Sequence, residues 1–149
     1  MTRDPYTLVI GSHKGGTGRT TAACAVAWAL GQSGHAVLLA DADPVGSTRL
    51  LAVGPDGRCA WPNVRHLARL PRPGEAAGCD VVVVDSPALL GADADAVLAR
   101  ADGLVLTCLA DPLSLRTVPA AAARLAAAGG TNPRLELLGL LVGAFDADD

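Results

Sequence analysis

Residues 11–21, with the sequence GSHKGGTGRTT, form a glycine-rich stretch between an apolar run and an alanine-rich segment. The apolar run at residues 6–10 is typical of a buried strand, and residues 20–32 are typical of a helix. Glycines let such a loop turn tightly, and its backbone N–H groups together with the helix N-terminus attract anions. The chain is therefore restricted to folds that contain a strand–loop–helix unit, and the loop is predicted to bind phosphate.

The loop departs at two positions from the generic phosphate-binding pattern GxxxxGK[ST]. His13 stands at the position of the first glycine and Arg19 at the position of the lysine. The hydroxyl of Thr20 falls where a magnesium ligand is needed. A turn that serves only to connect the strand and the helix is the alternative interpretation at this point.

The rest of the chain alternates between short apolar runs and helix-like segments. Nearly continuous Val, Leu and Ile, rather than an alternating pattern, is typical of parallel strands that are covered on both faces. The pattern predicts an α/β fold, a doubly wound and mostly parallel sheet with helices on both faces. The predicted strands are residues 6–10, 36–40, 81–84, 104–109 and 137–142, and the predicted helices are residues 20–32, 92–100 and 114–128.

The length of 149 residues predicts a single domain over residues 1–149. Residues 53–78 contain four prolines and are predicted to be a loop-rich insertion with one short helix near residues 63–70. The acidic residues 146–149 are predicted to be a frayed tail.

Composition excludes several classes of protein. Half of the residues are hydrophobic, so a packed core is expected, and the net charge of −3 argues against a dedicated nucleic-acid-binding protein. No apolar run is long enough to span a bilayer and the first residues lack the layout of a secretory signal, so a cytoplasmic location is expected. The four cysteines are widely spaced and are predicted to be small buried thiols rather than metal ligands: Cys24, Cys59, Cys79 and Cys108.

Three ordered motifs resemble those of one family. Residues 14–21, KGGTGRTT, are similar to the deviant Walker A motif KGGxGKTT of the ParA/MinD-type partitioning and positioning ATPases. Residues 38–44, LLADADP, are similar to the strand and DxDP motif of that family, and residues 79–87, CDVVVVDSP, to its Walker B strand. Residues 139–146 resemble the strand near its base-binding edge. The resemblance therefore covers nearly the whole chain.

The resemblance implies a P-loop fold and a set of site residues. It implies that Lys14 reaches the phosphates of a partner subunit across a nucleotide-sandwiched dimer, that Asp43 helps to position the attacking water and the metal, and that Asp41 supports the site. These three are the candidate catalytic residues, and Lys14 is also the single lysine of the chain. Thr20 and Asp85 are the candidate Mg²⁺ ligands, since a carboxylate at the end of an apolar strand can hold that ion. The candidate phosphate-binding residues are Gly15, Gly16, Thr17, Gly18, Arg19, Thr20 and Thr21.

Two positions differ from the family pattern. Val45 stands where the family usually has glutamine after DxDP, and Arg19 replaces a lysine that bridges the β- and γ-phosphates. Arginine keeps the charge but is longer and planar. We therefore hypothesise that nucleotide binding survives and that hydrolysis is slow or absent.

The resemblance implies an ATP-binding, Mg²⁺-dependent ATPase that acts as a nucleotide-dependent dimerisation switch in DNA segregation or cargo positioning. The implied partners are ATP or ADP, a second copy of the chain, a protein that stimulates hydrolysis and nonspecific DNA. MinD-type members bind membranes through a C-terminal amphipathic helix; none is visible in this sequence, so no membrane partner is expected. The alternatives are a non-catalytic nucleotide-binding scaffold, a different reaction on the same fold, and a pure interaction protein.

Basic residues allow two interpretations. Those around Trp61 and His66 form either a docking surface or a solvated helix face: Arg58, Arg65, Arg69 and Arg72. Arg116 and Arg124, eight residues apart, are expected on the same side of the last long helix.

Overall fold

The computed structural model describes residues 4–90 and 92–143. Six strands and five helices follow one another in these ranges. In chain order they are β1 (Tyr6–Gly11), α1 (Arg19–Gln32), β2 (Val37–Asp41), α2 (Thr48–Ala52), β3 (Val64–Leu67), β4 (Val81–Asp85), α3 (Ala92–Leu98), β5 (Gly103–Leu109), α4 (Pro112–Leu115), α5 (Val118–Gly129) and β6 (Glu136–Gly143).

The strands form one parallel sheet in the order β3-β2-β4-β1-β5-β6. Successive side chains of the central strands point to opposite faces, so the sheet has a core on each side. The predicted doubly wound α/β fold is confirmed. Ile10, Leu39 and Val83 pack with the alanines of α1 on one face, and Val9, Leu38 and Val82 pack with Val97 and Leu98 of α3 on the other.

The register of the sheet brings the ends of three strands together. Asp85, the last residue of β4, lies opposite Ile10 of β1 on one side and opposite Asp41 of β2 on the other. In open α/β sheets, ligands bind outside the carboxyl ends of the strands. The loop that follows β1 and the two aspartates therefore meet at one edge.

The helix predicted near residues 63–70 is wrong. Val64–Leu67 form strand β3, which pairs with β2 from Val37 opposite Val64 to Ala40 opposite Leu67. Val64 is buried against the α1 side of the sheet. A four-residue segment is too short to show a clear period, and the open edge of β2 decided its conformation through backbone hydrogen bonds.

The single helix predicted over residues 114–128 is also wrong, because the segment contains two helices. The side chain of Asp111 accepts hydrogen bonds from the backbone N–H groups of Leu113 and Ser114 and so caps α4, which ends at Leu115. Arg116 follows α4, whereas Arg124 lies on α5 and pairs with Asp95 of α3 at 2.6 Å. The two arginines therefore do not share one helix.

Strand β6 lies at an edge of the sheet and differs from the other strands in burial. Its five large apolar side chains are 40–48% exposed, so the expectation that this strand is covered on both faces is wrong. The tail predicted at residues 146–149 and the end of the 139–146 segment lie outside the described residues. The single domain over residues 1–149 and the insertion at residues 53–78 stay predictions.

In the part of the chain that the structure describes, no helix has the length and apolar character needed to cross a bilayer, and the longest, α1, has 14 residues.

Candidate functional site

The loop between β1 and α1 leaves an open space in front of its backbone. Gly16 and Gly18 adopt left-handed conformations with φ of 75° and 85°, and a Cβ atom at either position would meet no atom within 4 Å. No side chain caps the N-terminus of α1. A cleft of about 480 Å³ opens there, lined by residues 16–21 together with Ser47, Leu50 and Leu51. Uncapped N–H groups that face such a cleft form a site for an anion.

Two hydroxyl groups hold the shape of this loop. The buried Thr17 hydroxyl lies 2.8 Å from the hydroxyl of Thr107 on β5, and the Ser12 hydroxyl donates to the carbonyl of Lys14 at 2.5 Å. The side chain of Thr17 therefore faces the sheet, and the backbone N–H is the part of this residue that a phosphate could contact.

Arg19 connects the loop to the segment that follows β2. Its Nη1 donates to the Ser12 hydroxyl at 2.6 Å and to the Lys14 carbonyl at 3.0 Å. Its Nη2 pairs with Oδ2 of Asp43 at 3.2 Å, and the two side chains are only 11% and 18% exposed. The guanidinium thus bridges two loops that are far apart in the sequence.

Thr20 and Asp85 form the pair that fits a magnesium ion. The Thr20 hydroxyl donates to Oδ2 of Asp85 at 2.7 Å, and the buried Oδ1 has no hydrogen-bond partner among the described residues. Burial raises the pKa of Asp85 to about 6, against the opposing effect of the hydrogen bond from Thr20. An orphaned carboxylate oxygen beside a hydroxyl suits a cation that takes one carboxylate and draws its other ligands from water and phosphate.

Asp41, the last residue of β2, and Asp43 make different contacts. Asp41 is buried, and its Oδ2 accepts from the Thr48 backbone N–H at 3.0 Å and the Thr48 hydroxyl at 2.5 Å, while its Oδ1 accepts from the N–H of Asp43 at 3.2 Å. Asp43 instead faces Arg19, and its Oδ1 accepts from the N–H of Val45 at 3.0 Å. Asp41 therefore holds the loop, and Asp43 is presented toward the phosphate loop.

Lys14 is half-buried in the loop between β1 and α1. Hydrogen bonds from Ser114 chiefly lower the pKa of Asp111, and the charge of Lys14 adds to this shift. Lys14 therefore lies on the phosphate loop, and its charge acts on the carboxylate that caps α4.

Sequence reasoning missed Thr48 and His66. The Thr48 hydroxyl lies 2.9 Å from Nε2 of His66, a residue that was expected only within the basic cluster. Thr48 begins α2, a helix of five residues that has too few positions to show a period.

Two arginines of the predicted cluster, Arg65 and Arg69, hold the loop after β3. Arg69 makes two hydrogen bonds of 2.7 Å to Glu75, and Arg65 donates to the carbonyls of Glu75 and Ala77. These contacts fold residues 65–79 back on themselves. The solvated helix face is wrong as an interpretation, because Arg65 lies on a strand and Arg69 follows it.

Comparison with known proteins gives a consistent result. The family model described as the CobQ/CobB/MinD/ParA nucleotide binding domain matches residues 8–149. The chain is 30% identical over 176 residues to the chromosome-partitioning ATPase Soj of Thermus thermophilus, covering 93% of this chain and 69% of Soj. It is 36% identical over 139 residues to maintenance of carboxysome distribution protein A of Gloeobacter kilaueensis, covering 89% of this chain and 62% of that protein.

Among solved structures, cobyrinic acid a,c-diamide synthase from Mycobacterium smegmatis, with bound ADP and magnesium, superposes with a TM-score of 0.85. The sequence identity is 24%, and the match covers 97% of this chain and 77% of the synthase. This likeness shows a shared fold.

Proposed function

Because the chain belongs to the CobQ/CobB/MinD/ParA nucleotide-binding family, we propose that it binds ATP with Mg²⁺ and that nucleotide state switches it between monomer and dimer. The proposed role is DNA segregation or cargo positioning, in keeping with the names of the two relatives. The observation that carries the proposal is the Thr20–Asp85 pair, with its orphaned carboxylate oxygen, beside the uncapped N-terminus of α1.

The proposed roles combine the positions of the groups with the resemblance to the family. The backbone N–H groups of residues 15–21 bind the phosphate oxygens, and the partial positive charge of the α1 N-terminus assists them. Thr20 and Asp85 hold Mg²⁺, which neutralises phosphate charge when it is bound. Asp43 lies where it can orient a water molecule, and Lys14 supplies a compact positive charge to the phosphates of a second copy.

Arg19 favours a second candidate, a nucleotide-binding scaffold with impaired hydrolysis. Its guanidinium contacts Ser12, Lys14 and Asp43. To reach a γ-phosphate it must give up at least one of these partners. Binding through the loop amides does not require that exchange, whereas stabilisation of the transition state does.

Light scattering with size exclusion tests the switch, run without nucleotide, with Mg-ADP and with a slowly hydrolysed ATP analogue. We expect a monomer in the first two states and a dimer with the analogue. Asp85→Asn removes the metal-binding charge and should abolish the Mg²⁺-dependent part of nucleotide binding. Asp56→Asn, in an exposed turn, is the matched control.

The outcomes separate the candidates. Nucleotide binding and dimerisation with measurable turnover support the switch, whereas binding without turnover supports the scaffold. A wild-type protein that binds no nucleotide at millimolar concentration would refute both.

A further inference from the structure

A hydrogen-bond chain runs from the half-buried His66 on strand β3 to the loop after β2. His66 Nε2 lies 2.9 Å from the hydroxyl of Thr48, and that hydroxyl lies 2.5 Å from Oδ2 of Asp41. Thr48 is fully buried and Asp41 is 2% exposed. The three side chains come from three different elements, namely β3, the start of α2 and the end of β2.

The direction of each hydrogen bond follows from the number of protons. A threonine hydroxyl has one hydrogen, and the carboxylate of Asp41 can only accept. The Thr48 hydroxyl therefore donates to Asp41, and its lone pair accepts the N–H at Nε2 of His66. Burial lowers the pKa of His66, which favours the neutral form of the ring.

The chain ends at the loop that carries Asp43. Oδ1 of Asp41 accepts from the backbone N–H of Asp43, and Oδ2 also accepts from the backbone N–H of Thr48. One carboxylate therefore holds both ends of residues 43–48. Loss of a buried partner leaves polar atoms unsatisfied, and the loop would have to move to reach water.

We propose that Thr48 and His66 are positioning residues, which act through Asp41 to hold the loop that presents Asp43 to the phosphate cleft. Neither Thr48 nor His66 is among the residues that line the phosphate cleft. The link from loop position to turnover rests on the proposed function. The effect of the hydrogen-bond chain on the position of the loop is independent of the proposed function, and it can be tested without nucleotide.

Amide hydrogen exchange in the nucleotide-free protein is the first measurement. Thr48→Val keeps the shape of the side chain and removes the hydroxyl, and we expect exchange at residues 43–48 to rise by about tenfold or more. The Nε2–H signal of His66 in the NMR spectrum, protected from water in the wild type, should be lost. Thr48→Ser, which keeps the hydroxyl, should restore both observations. His66→Phe should raise exchange in the same segment, and His35→Phe, at an exposed histidine, should not.

The second measurement uses nucleotide. In Thr48→Val we expect turnover to fall roughly tenfold while nucleotide affinity changes less than about threefold, since supporting groups of this kind typically affect activity by 10–100-fold. A rise in exchange that is uniform over the whole sheet, or no rise at residues 43–48, would overturn the positioning role. A selective rise in a protein that binds no nucleotide would leave that role standing and would refute the proposed function alone.

Discussion

Replacing Arg19 by lysine is expected to lower the stability of the nucleotide-free protein and to raise its ATP turnover. The arginine donates hydrogen bonds from two different nitrogens. Nη1 donates to Ser12 and Lys14, and Nη2 donates to Asp43. A lysine has a single nitrogen and cannot keep both sides. The substitution therefore removes at least one hydrogen bond to a charged group.

The size of the loss follows from the burial of the pair. Hydrogen bonds to charged groups contribute about 1.5–3 kcal/mol. The Arg19 and Asp43 side chains are 11% and 18% exposed, so solvent screens their interaction only weakly. We expect the free energy of unfolding to fall by about 2 kcal/mol, which corresponds to a decrease in melting temperature of roughly 4–8 °C.

Turnover is expected to change in the opposite direction. A lysine at this position can leave the loop carbonyl and contact transferring phosphate oxygens. A positioned contact of this kind contributes on the order of 10²–10³ to the rate of a reaction. ATP turnover with saturating Mg²⁺, measured by phosphate release, should therefore be faster in Arg19→Lys than in the wild type.

The two measurements check each other. Unfolding by denaturant without nucleotide reports the lost contact, and phosphate release reports the chemistry. Arg58→Lys, in an exposed turn, is the matched control and should change neither quantity. If the wild type hydrolyses ATP at least as fast as Arg19→Lys, the argument that this arginine impairs hydrolysis is refuted.

Two other predictions concern stability and charge away from the cleft. Gly31→Ala should lower the free energy of unfolding by about 1–3 kcal/mol, because the added Cβ would clash with the Pro62 carbonyl. Gly129→Ala, in open space on a helix, should raise the free energy of unfolding by about 0.4–1 kcal/mol. Equal effects of the two substitutions in denaturant unfolding would contradict this reasoning. The hydrogen bonds from Arg69 lower the pKa of Glu75 from its ordinary value of 4.5 to about 2. The contribution of the ion pair to stability is therefore fully present above pH 4.5 and is lost as the pH falls through about 2. An NMR titration should show this midpoint, and Arg69→Gln should move it upward; an unchanged midpoint in that variant would exclude Arg69 as the cause.

Several features could be predicted because their signals are local. The strand, glycine loop and helix at residues 6–32 follow one another without interruption, and the structure has them as β1, the loop and α1. Asp41 and Asp85 each end an apolar run, and parallel strands bring such ends to the same edge. Family membership was predicted correctly for the same reason, since its three motifs are short and contiguous.

Other features could not be predicted, because short segments take their conformation from their neighbours. Residues 64–67 form a strand since β2 offers an open edge to them, and nothing in four residues identifies that edge. Strand β6 has the same apolar composition as the buried strands, yet its position at the end of the sheet leaves it exposed. Burial depends on place in the sheet as well as on composition.

By itself, the sequence determined the α/β fold class, the glycine loop and the two apolar runs that end in aspartate. Only the tertiary structure decided how the polar side chains are paired. Arg19 meets Asp43 across 24 residues, and Thr48 meets His66 across 18. Hydrogen bonds require atoms about 3 Å apart, and only the assembly of the sheet brings residues so distant in sequence that close together.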